Sequence, residues 1–401
     1  MCPSGTSGRS SEESAAKTLD KLEVMGYIPA AGGGVTCTPQ EEEVVTGFFV
    51  FLVALACSLI VTPLARALGL RLGVLDSPGA LSIHAHPIAR TGGVAMFVGF
   101  LAAMGYALAA GLAGGDDRTL VGVLVGGGFI ASAGFLDDLK RISPLQKAVW
   151  QLLAAFVVIG FGLQVKTFPL AGVGIVLTLF CLVGGANALN LLDGMDGLAA
   201  GTAAIAAVFL AVLAAGQGNG PALVLASAIL GATLGFLPYN WGISNLRERG
   251  PQSLSAVPAQ AGAIFMGDSG SFFLGFTLSS IAILFASQPN DLVGFITPFV
   301  VISIPILDTA LAIWRRLIRR ADPFGGDRQH VYDLLAKAGL GNRGAVLVIY
   351  LATALLGSLS LILVRLTTWP AMLLAAGAIM IMGLIAVRLG ALESDRARES
   401  G

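Results

Sequence analysis

About eleven windows of the chain are long and apolar enough to cross a lipid bilayer: residues 44–65, 92–113, 119–136, 146–164, 170–190, 197–215, 221–240, 270–287, 292–313, 344–364 and 368–388. Each approaches the roughly 20 residues that a helix needs to span hydrocarbon. The pattern predicts an all-α polytopic membrane protein with a transmembrane domain over 44–390. Residues 1–43 are polar, with Gly, Ser and Glu runs, and are expected to be a disordered tail. Residues 391–401 are expected to be a second, short tail. Composition points the same way: 55% of residues are hydrophobic and 12% charged, against about 25% charged in a soluble globular chain. The many small residues, 53 of them Gly, suit close helix packing in lipid.

Charge then orients the spans. With an odd number of crossings the termini lie on opposite sides. If the N-terminus is outside, 18 of the 24 Lys and Arg residues fall on the cytoplasmic side. That is the positive-inside bias, so the N-terminus is expected outside and the C-terminus in the cytoplasm. The net charge is zero, which gives no sign of nucleic-acid binding. The four Cys show no paired spacing, so neither a disulfide framework nor a cysteine metal site is expected.

This topology collects the unusual residues on one side. The cytoplasmic junctions carry DSPGALSIHAHPIARTGG (76–93), FLDDLKRISPLQK (135–147), NALNLLDGMDG (187–197), FMGDSGS (265–271), PILD (305–308) and PFGGDRQHVYDLL (323–335). Acids inside a membrane protein are functional by default, and they cost far less at an interface than at the bilayer centre. Their placement predicts an enzyme whose site opens to the cytoplasm. Mg²⁺ takes carboxylates together with substrate phosphates, and Asp193 and Asp268, each followed by small residues, are the candidate ligands. Lys147, Arg328 and His330 are candidate phosphate partners. Asn187, Asn190, Asp193 and Asp196 lie three apart. Each such step drifts by about 60° around a helix, so one helical stripe cannot aim all four at one point. Gly194 and Gly197 predict that the helix ends nearby, with Asn190 and Asp193 facing the pocket.

Read together, the motifs NxxNxxDGxDGLA (187–199), LDDLKxxSPxxK (136–147), FMGDSGSxFLG (265–275), PxxD (305–308) and DRQH (327–330) resemble the polyprenyl-phosphate N-acetylhexosamine-1-phosphate transferases. The resemblance covers about residues 44–390. It implies transfer of N-acetylhexosamine 1-phosphate from a UDP-sugar to undecaprenyl phosphate. The products are undecaprenyl-diphospho-sugar and UMP, and the step initiates cell-envelope glycan synthesis at a bacterial inner membrane. It implies Mg²⁺, with Mn²⁺ as a substitute. Asp193 and Asp268 are then metal residues, and Asp137, Asp138, Lys147 and His330 catalytic ones. Asn187, Asn190, Asp196, Arg328, Tyr332, Asp333 and His84 bind substrate. Direct attack by the lipid phosphate is favoured over a covalent Asp intermediate.

Three departures from the family pattern stand out. HVYD at 330–333 replaces a histidine-rich loop, Leu81-Ser82 replaces a basic pair before His84, and residues 245–262 lengthen one cytoplasmic loop. The substrate loop is expected over 321–343. The partners expected are the two substrates and membrane lipid, with a homodimer as the alternative to a monomer. The competing reading is a polytopic transporter of a nucleotide sugar or lipid-linked sugar, which would place its polar groups near the midplane at broken helices. A CDP-alcohol phosphotransferase would draw its acids from two adjacent helices, whereas here they come from at least four segments.

Overall fold

A computed structural model describes residues 39–76, 87–111, 117–241, 264–318, 320 and 329–399. Thirteen α-helices, a short π-helical segment (Ala336–Leu340) and one two-stranded ribbon are described there. In chain order they are α1 (Pro39–Leu72), β1 (Leu75–Asp76), β2 (Ile88–Ala89), α2 (Gly92–Ala109), α3 (Asp117–Lys140), α4 (Pro144–Gly160), α5 (Ala171–Leu192), α6 (Leu198–Gln217), α7 (Gly220–Asn240), α8 (Gly267–Phe285), α9 (Leu292–Val301), α10 (Ser303–Ile318), α11 (Val331–Leu335), α12 (Gly341–Leu363) and α13 (Thr368–Glu399). Among the described residues nine helical segments are long and apolar enough to cross a membrane, and up to ten if a bent pair counts as one span. The all-α polytopic architecture is the one the apolar windows predict.

α8 is the axis of the assembly. Every residue of it except Asp268 is buried, and it touches α2, α3, α5, α6, α7 and α9. Lipid tails are as apolar as leucine, so close van der Waals contact has to hold such helices together. Small residues supply the closeness. A Cβ on Gly134 of α3 would lie 2.4 Å from the Asp268 carbonyl oxygen and 2.5 Å from Ser269 Cα. Aromatic side chains then fill the wider gaps: Phe273 packs edge-on against Phe97 and Phe100, with centroids 5.3 and 5.1 Å away.

Two windows depart from simple spans. Residues 292–313 form α9 and α10, bent by 80° at a break around Ile302. The window 146–164 becomes the 17-residue α4, which starts earlier because Ser143 caps it. The Ser143 side chain accepts from Gln146 N–H and the Gln146 side chain accepts from Ser143 N–H, with Pro144 at the first turn. At the ends, α1 begins at Pro39, inside the stretch expected as a tail, and α13 continues to Glu399 through most of the expected C-terminal tail. Residues 1–38 and the insertion 245–262 lie outside the described residues.

A strap joins this frame to the polar end. β1 pairs with β2 in antiparallel register, Leu75 opposite Ala89, and Ala89 bridges Ile264. Backbone N–H groups of Phe265, Gly92 and Gly93 then donate to Ala89, Phe265 and Met266 carbonyls at 2.8–2.9 Å. The segment entering α2 and the segment entering α8 are therefore locked side by side, with Arg90 on one and Asp268 just inside the other.

The packing account makes a prediction. Gly134→Ala forces a Cβ into the backbone of α8 and is expected to cost about 1–3 kcal/mol. Gly105→Ala, whose Cβ would meet nothing within 4 Å, is expected to be neutral or slightly stabilising. Thermal melts of both variants in detergent check this, and equal behaviour of the two would refute it.

Candidate active site

Asp138, near the C-terminal end of α3, has a fully buried side chain. Its two carboxylate oxygens accept the backbone N–H groups of Asp268 and Ser269, both at 3.1 Å. First-turn N–H groups have no partner within their own helix, and an anion there also meets the positive end of the helix dipole. Gly267 makes room for this. Its φ is +70°, and a Cβ would lie 2.4 Å from Asp138 Oδ2 and 2.5 Å from the Arg90 carbonyl oxygen. Arg90 Nε stands 3.4 Å from Asp138 Oδ1 and offsets its charge.

With its backbone held, Asp268 gathers donors from three directions. Oδ1 accepts from Arg90 Nη2 at 3.3 Å and from Asn190 Nδ2 at 3.2 Å, and Oδ2 accepts from Lys147 Nζ at 3.1 Å. Lys147, in the first turn of α4, also pairs with Asp137 Oδ2. Asn190 donates further to Ser271 Oγ at 2.9 Å. Burial alone would lower the Arg90 guanidinium. Asp138, Asp268, Asp76 and Asp193 outweigh that and raise it, so the cation persists. The structure thus brings Asp137, Asp138, Lys147, Asn190 and Asp268 together. Asn187 it does not: its amide exchanges hydrogen bonds with Gln151 of α4, at 3.1 and 2.8 Å, and ties two helices.

α5 ends at Leu192, so Asp193 sits just beyond it in a turn that runs to Gly197. Asp193 is half-buried as a residue. Desolvation of its carboxyl pushes it up to about 8; Arg90 lowers it, and Asp268, Asp138 and Asp196 raise it further. The turn is pinned at Gly197, whose N–H donates to Asn240 Oδ1 at 2.7 Å and whose carbonyl accepts from Tyr350 OH at 2.6 Å. Asn240 Nδ2 in turn donates to the Ile264 carbonyl at 3.0 Å. One buried asparagine therefore links the Asp193 turn to the segment that leads into Asp268.

The candidate residues near 330 form a second group. His330 Nδ1 lies 2.6 Å from Asp308 Oδ2, and Val331 N–H donates to Asp308 Oδ1 at 2.8 Å. Tyr332 is buried, stacks on the His330 ring with centroids 5.3 Å apart, and donates its OH to the Leu191 carbonyl at 3.3 Å. Asp333 lies in the field of His330 and Lys337. Arg328 and His84 lie outside the described residues.

Two residues at the site escaped the sequence reading. Arg90 was visible only as one more cytoplasmic charge. Its signal is its place between a short strand and the Gly-Gly start of α2. Asp308 was visible only as part of PxxD, and its partner is 22 positions away.

Four carboxylates, Asp137, Asp138, Asp193 and Asp268, face two cations, Arg90 and Lys147. Among the described residues the Asp193 carboxylate has no hydrogen-bond partner, and no group of three His, Cys, Asp or Glu is placed to hold a metal ion unaided. This donor set fits Mg²⁺, which uses one or two carboxylates and completes its shell with substrate phosphates and water.

The model of glycosyl transferase family 4 matches residues 120–286, the stretch that carries Asp137, Asp138, Lys147, Asn190, Asp193 and Asp268. A Bacillus subtilis protein named a probable undecaprenyl-phosphate N-acetylglucosaminyl 1-phosphate transferase is 31% identical over 355 residues, 86% of this chain and 93% of the relative. The decaprenyl-phosphate N-acetylglucosaminephosphotransferase of Mycolicibacterium smegmatis is 32% identical over 364 residues, 82% of this chain and 83% of that one. The Escherichia coli undecaprenyl-phosphate alpha-N-acetylglucosaminyl 1-phosphate transferase is 29% identical over 312 residues, 74% of this chain and 78% of that one. With such similarity along most of both chains, and the carboxylate cluster inside the matched region, this protein belongs to glycosyl transferase family 4.

Proposed function

We propose that this protein transfers N-acetylglucosamine 1-phosphate from a UDP-sugar to a polyprenyl phosphate, undecaprenyl phosphate being the acceptor expected, and releases UMP. One observation carries the reading: four carboxylates and two cations from separate helix ends meet at one polar end of an apolar bundle. A transporter would place such groups near the midplane. The charge bias of the loops supports a site on the cytoplasmic face of a bacterial inner membrane.

The chemistry follows from the partners. The lipid phosphate is largely a dianion at neutral pH, by analogy with phosphorylated side chains whose second pKa is about 6. It needs little deprotonation. Its oxygen forms a bond to the β-phosphorus of the UDP-sugar as the bond from that phosphorus to the UMP oxygen breaks. Two anionic reactants repel, so neutralisation and alignment are the main tasks. Arg90 and Lys147 supply the positive charge, and phosphates that approach them compete with Asp268 and Asp137 for the same donors. Asp193 and Asp268 would hold Mg²⁺, which when bound supplies further charge neutralisation at the diphosphate. Asp138 is fully engaged by two N–H groups and Arg90, and Asp137 is paired with Lys147. Neither is an unencumbered nucleophile, which supports direct attack. Tyr332 is buried against the end of α5, so the HVYD departure reads best as a change in how the loop is built.

Mixing membranes that contain the protein with undecaprenyl phosphate and UDP-N-acetylglucosamine is expected to release UMP and form lipid diphospho-sugar. Asp193→Asn and Asp268→Asn are each expected to lower that rate by about 10²–10³-fold while folded protein stays in the membrane. Near-normal turnover by either would remove that residue from the site.

The Asp193 carboxyl gives a pH prediction. An aspartate raised to about 8 keeps its proton in the folded state at pH values where the unfolded chain has lost it. Stability of the metal-free protein is then expected to fall as pH rises from the ordinary aspartate range to about 8, and to level off above that. Asp193→Asn should flatten the fall, and added Mg²⁺ should oppose it more at pH 8 than at pH 6. Melting temperatures across pH, with and without Mg²⁺, check both signs.

Direct attack makes one more. Enzyme with UDP-N-acetylglucosamine and no lipid is expected to give no stoichiometric UMP. A burst of UMP that disappears in Asp137→Ala would establish the covalent route instead.

A further inference from the structure

We infer that Asp308 is a positioning residue that sets which ring nitrogen of His330 meets the substrate, an assignment that rests on the transferase reading above. Asp308 lies on α10, in the second turn after the 80° break. Its side chain and that of His330 are 3% and 5% exposed, so both belong to the interior. Both carboxylate oxygens are committed, Oδ2 to His330 Nδ1 at 2.6 Å and Oδ1 to the Val331 N–H at 2.8 Å. A carboxylate accepts and does not donate, so the neutral imidazole carries its proton on Nδ1. Nε2 is then the ring atom left for a ligand, and among the described residues it has no hydrogen-bond partner. The ring lies parallel to Tyr332, at 2° between planes. Tyr332 OH reaches the Leu191 carbonyl, two residues before Asp193. A carboxylate behind the imidazole and a phenol ring against its face leave it one orientation. The bent span thereby aims a residue of the following loop, and the aim is referenced to the end of α5 that presents Asp193. A second-sphere partner of this kind fixes tautomer and ring direction without touching the reactants.

A double-mutant cycle in purified, detergent-solubilised full-length protein tests the assignment, with UMP release from UDP-N-acetylglucosamine and undecaprenyl phosphate as the rate. Asp308→Ala is expected to lower kcat/KM by at least about tenfold. His330→Ala should lower it as much or more. The double variant should match His330→Ala within about twofold, because Asp308 acts through His330. A double variant that falls by the product of the two single losses would overturn the assignment. Asp308→Asn keeps an oxygen for the Val331 N–H. Its loss of rate is expected to resemble that of Asp308→Ala, and wild-type activity would show that only the backbone bond matters. A readout without turnover separates this idea from the transferase reading. The chain has three His, so ¹⁵N-histidine spectra are simple to assign by single substitution. At alkaline pH, His330 is expected as the Nδ1-protonated tautomer in the wild type and no longer in Asp308→Ala. An Nε2-protonated His330 in the wild type would sink the proposal, whatever the enzyme transfers. Absence of UMP release with the expected tautomer would instead count against the transferase reading alone.

Discussion

The carboxylate of Asp138 on the N-terminus of α8 is the contact on which the rest depends. α8 is buried along its length except at the half-buried Asp268, so water has little access to its first-turn N–H groups. A buried polar group left without a partner costs about 1–3 kcal/mol, and Asp138 satisfies two. Its own burial would be costly if the charge stood alone, and Arg90 answers that. Arg90 is in place because the strap 88–93 is stitched by backbone hydrogen bonds to 264–266. Gly267 and Gly134 allow this convergence, since a Cβ at either would collide with the clasp or with the Asp268 backbone. Packing of an apolar helix and placement of the Asp268 carboxylate are therefore one structural problem.

Asp268 inherits its position from that solution. Its backbone is fixed from below by Asp138, and its side chain is drawn by Arg90, Lys147 and Asn190 from three other elements. Such a network is rigid only while every member is satisfied. The same donors that hold Asp268 are the positive charge a diphosphate seeks. Asp193 is the member without a cation of its own, which is why burial raises it so far. Four carboxylates face two cations there, and in the proposed reading a divalent ion brought with the phosphates would offset that excess.

Much of this was legible in the chain, for physical reasons that also mark the limits. Runs of about 20 apolar residues permit few structures other than helices, so each predicted window falls on a helix or a helix pair. The end of α5 near Asp193 followed from Gly194 and Gly197. The bend in 292–313 did not, because average hydropathy is blind to a change of direction. Its local signal was the pair Pro298 and Pro305: a proline near a helix start removes an N–H that has no partner there anyway, and Pro305 sits in the first turn of α10. Arg90 and Asp308 were hidden for another reason. The carboxylates that place Arg90 in the site, Asp138 and Asp268, lie 48 and 178 positions away and the partner of Asp308 lies 22 away, and no periodicity encodes such pairs.

The two asparagines of α5 show how far residue type alone can carry an argument. Asn187 and Asn190 share a motif, an amide and a helix. Three positions apart on a helix leaves them about 60° out of line, and that angle separates their fates. Asn190 faces α8 and donates to Asp268 and Ser271. Asn187 faces α4 and exchanges bonds with Gln151. An amide on a buried helix must find partners for both its ends, and Asn187 finds them in a reciprocal pair with Gln151 and a further bond from its Nδ2 to the Val183 carbonyl at 2.8 Å. Asn190 gives one donor to the Asp268 carboxylate and the other to the Ser271 hydroxyl, so in the proposed reading its bond to Asp268 would change if a cation shared that charge or a phosphate came beside it. In the proposed reading the residue whose partner is charged is the one coupled to the chemistry. The residue whose partner is neutral holds two helices together.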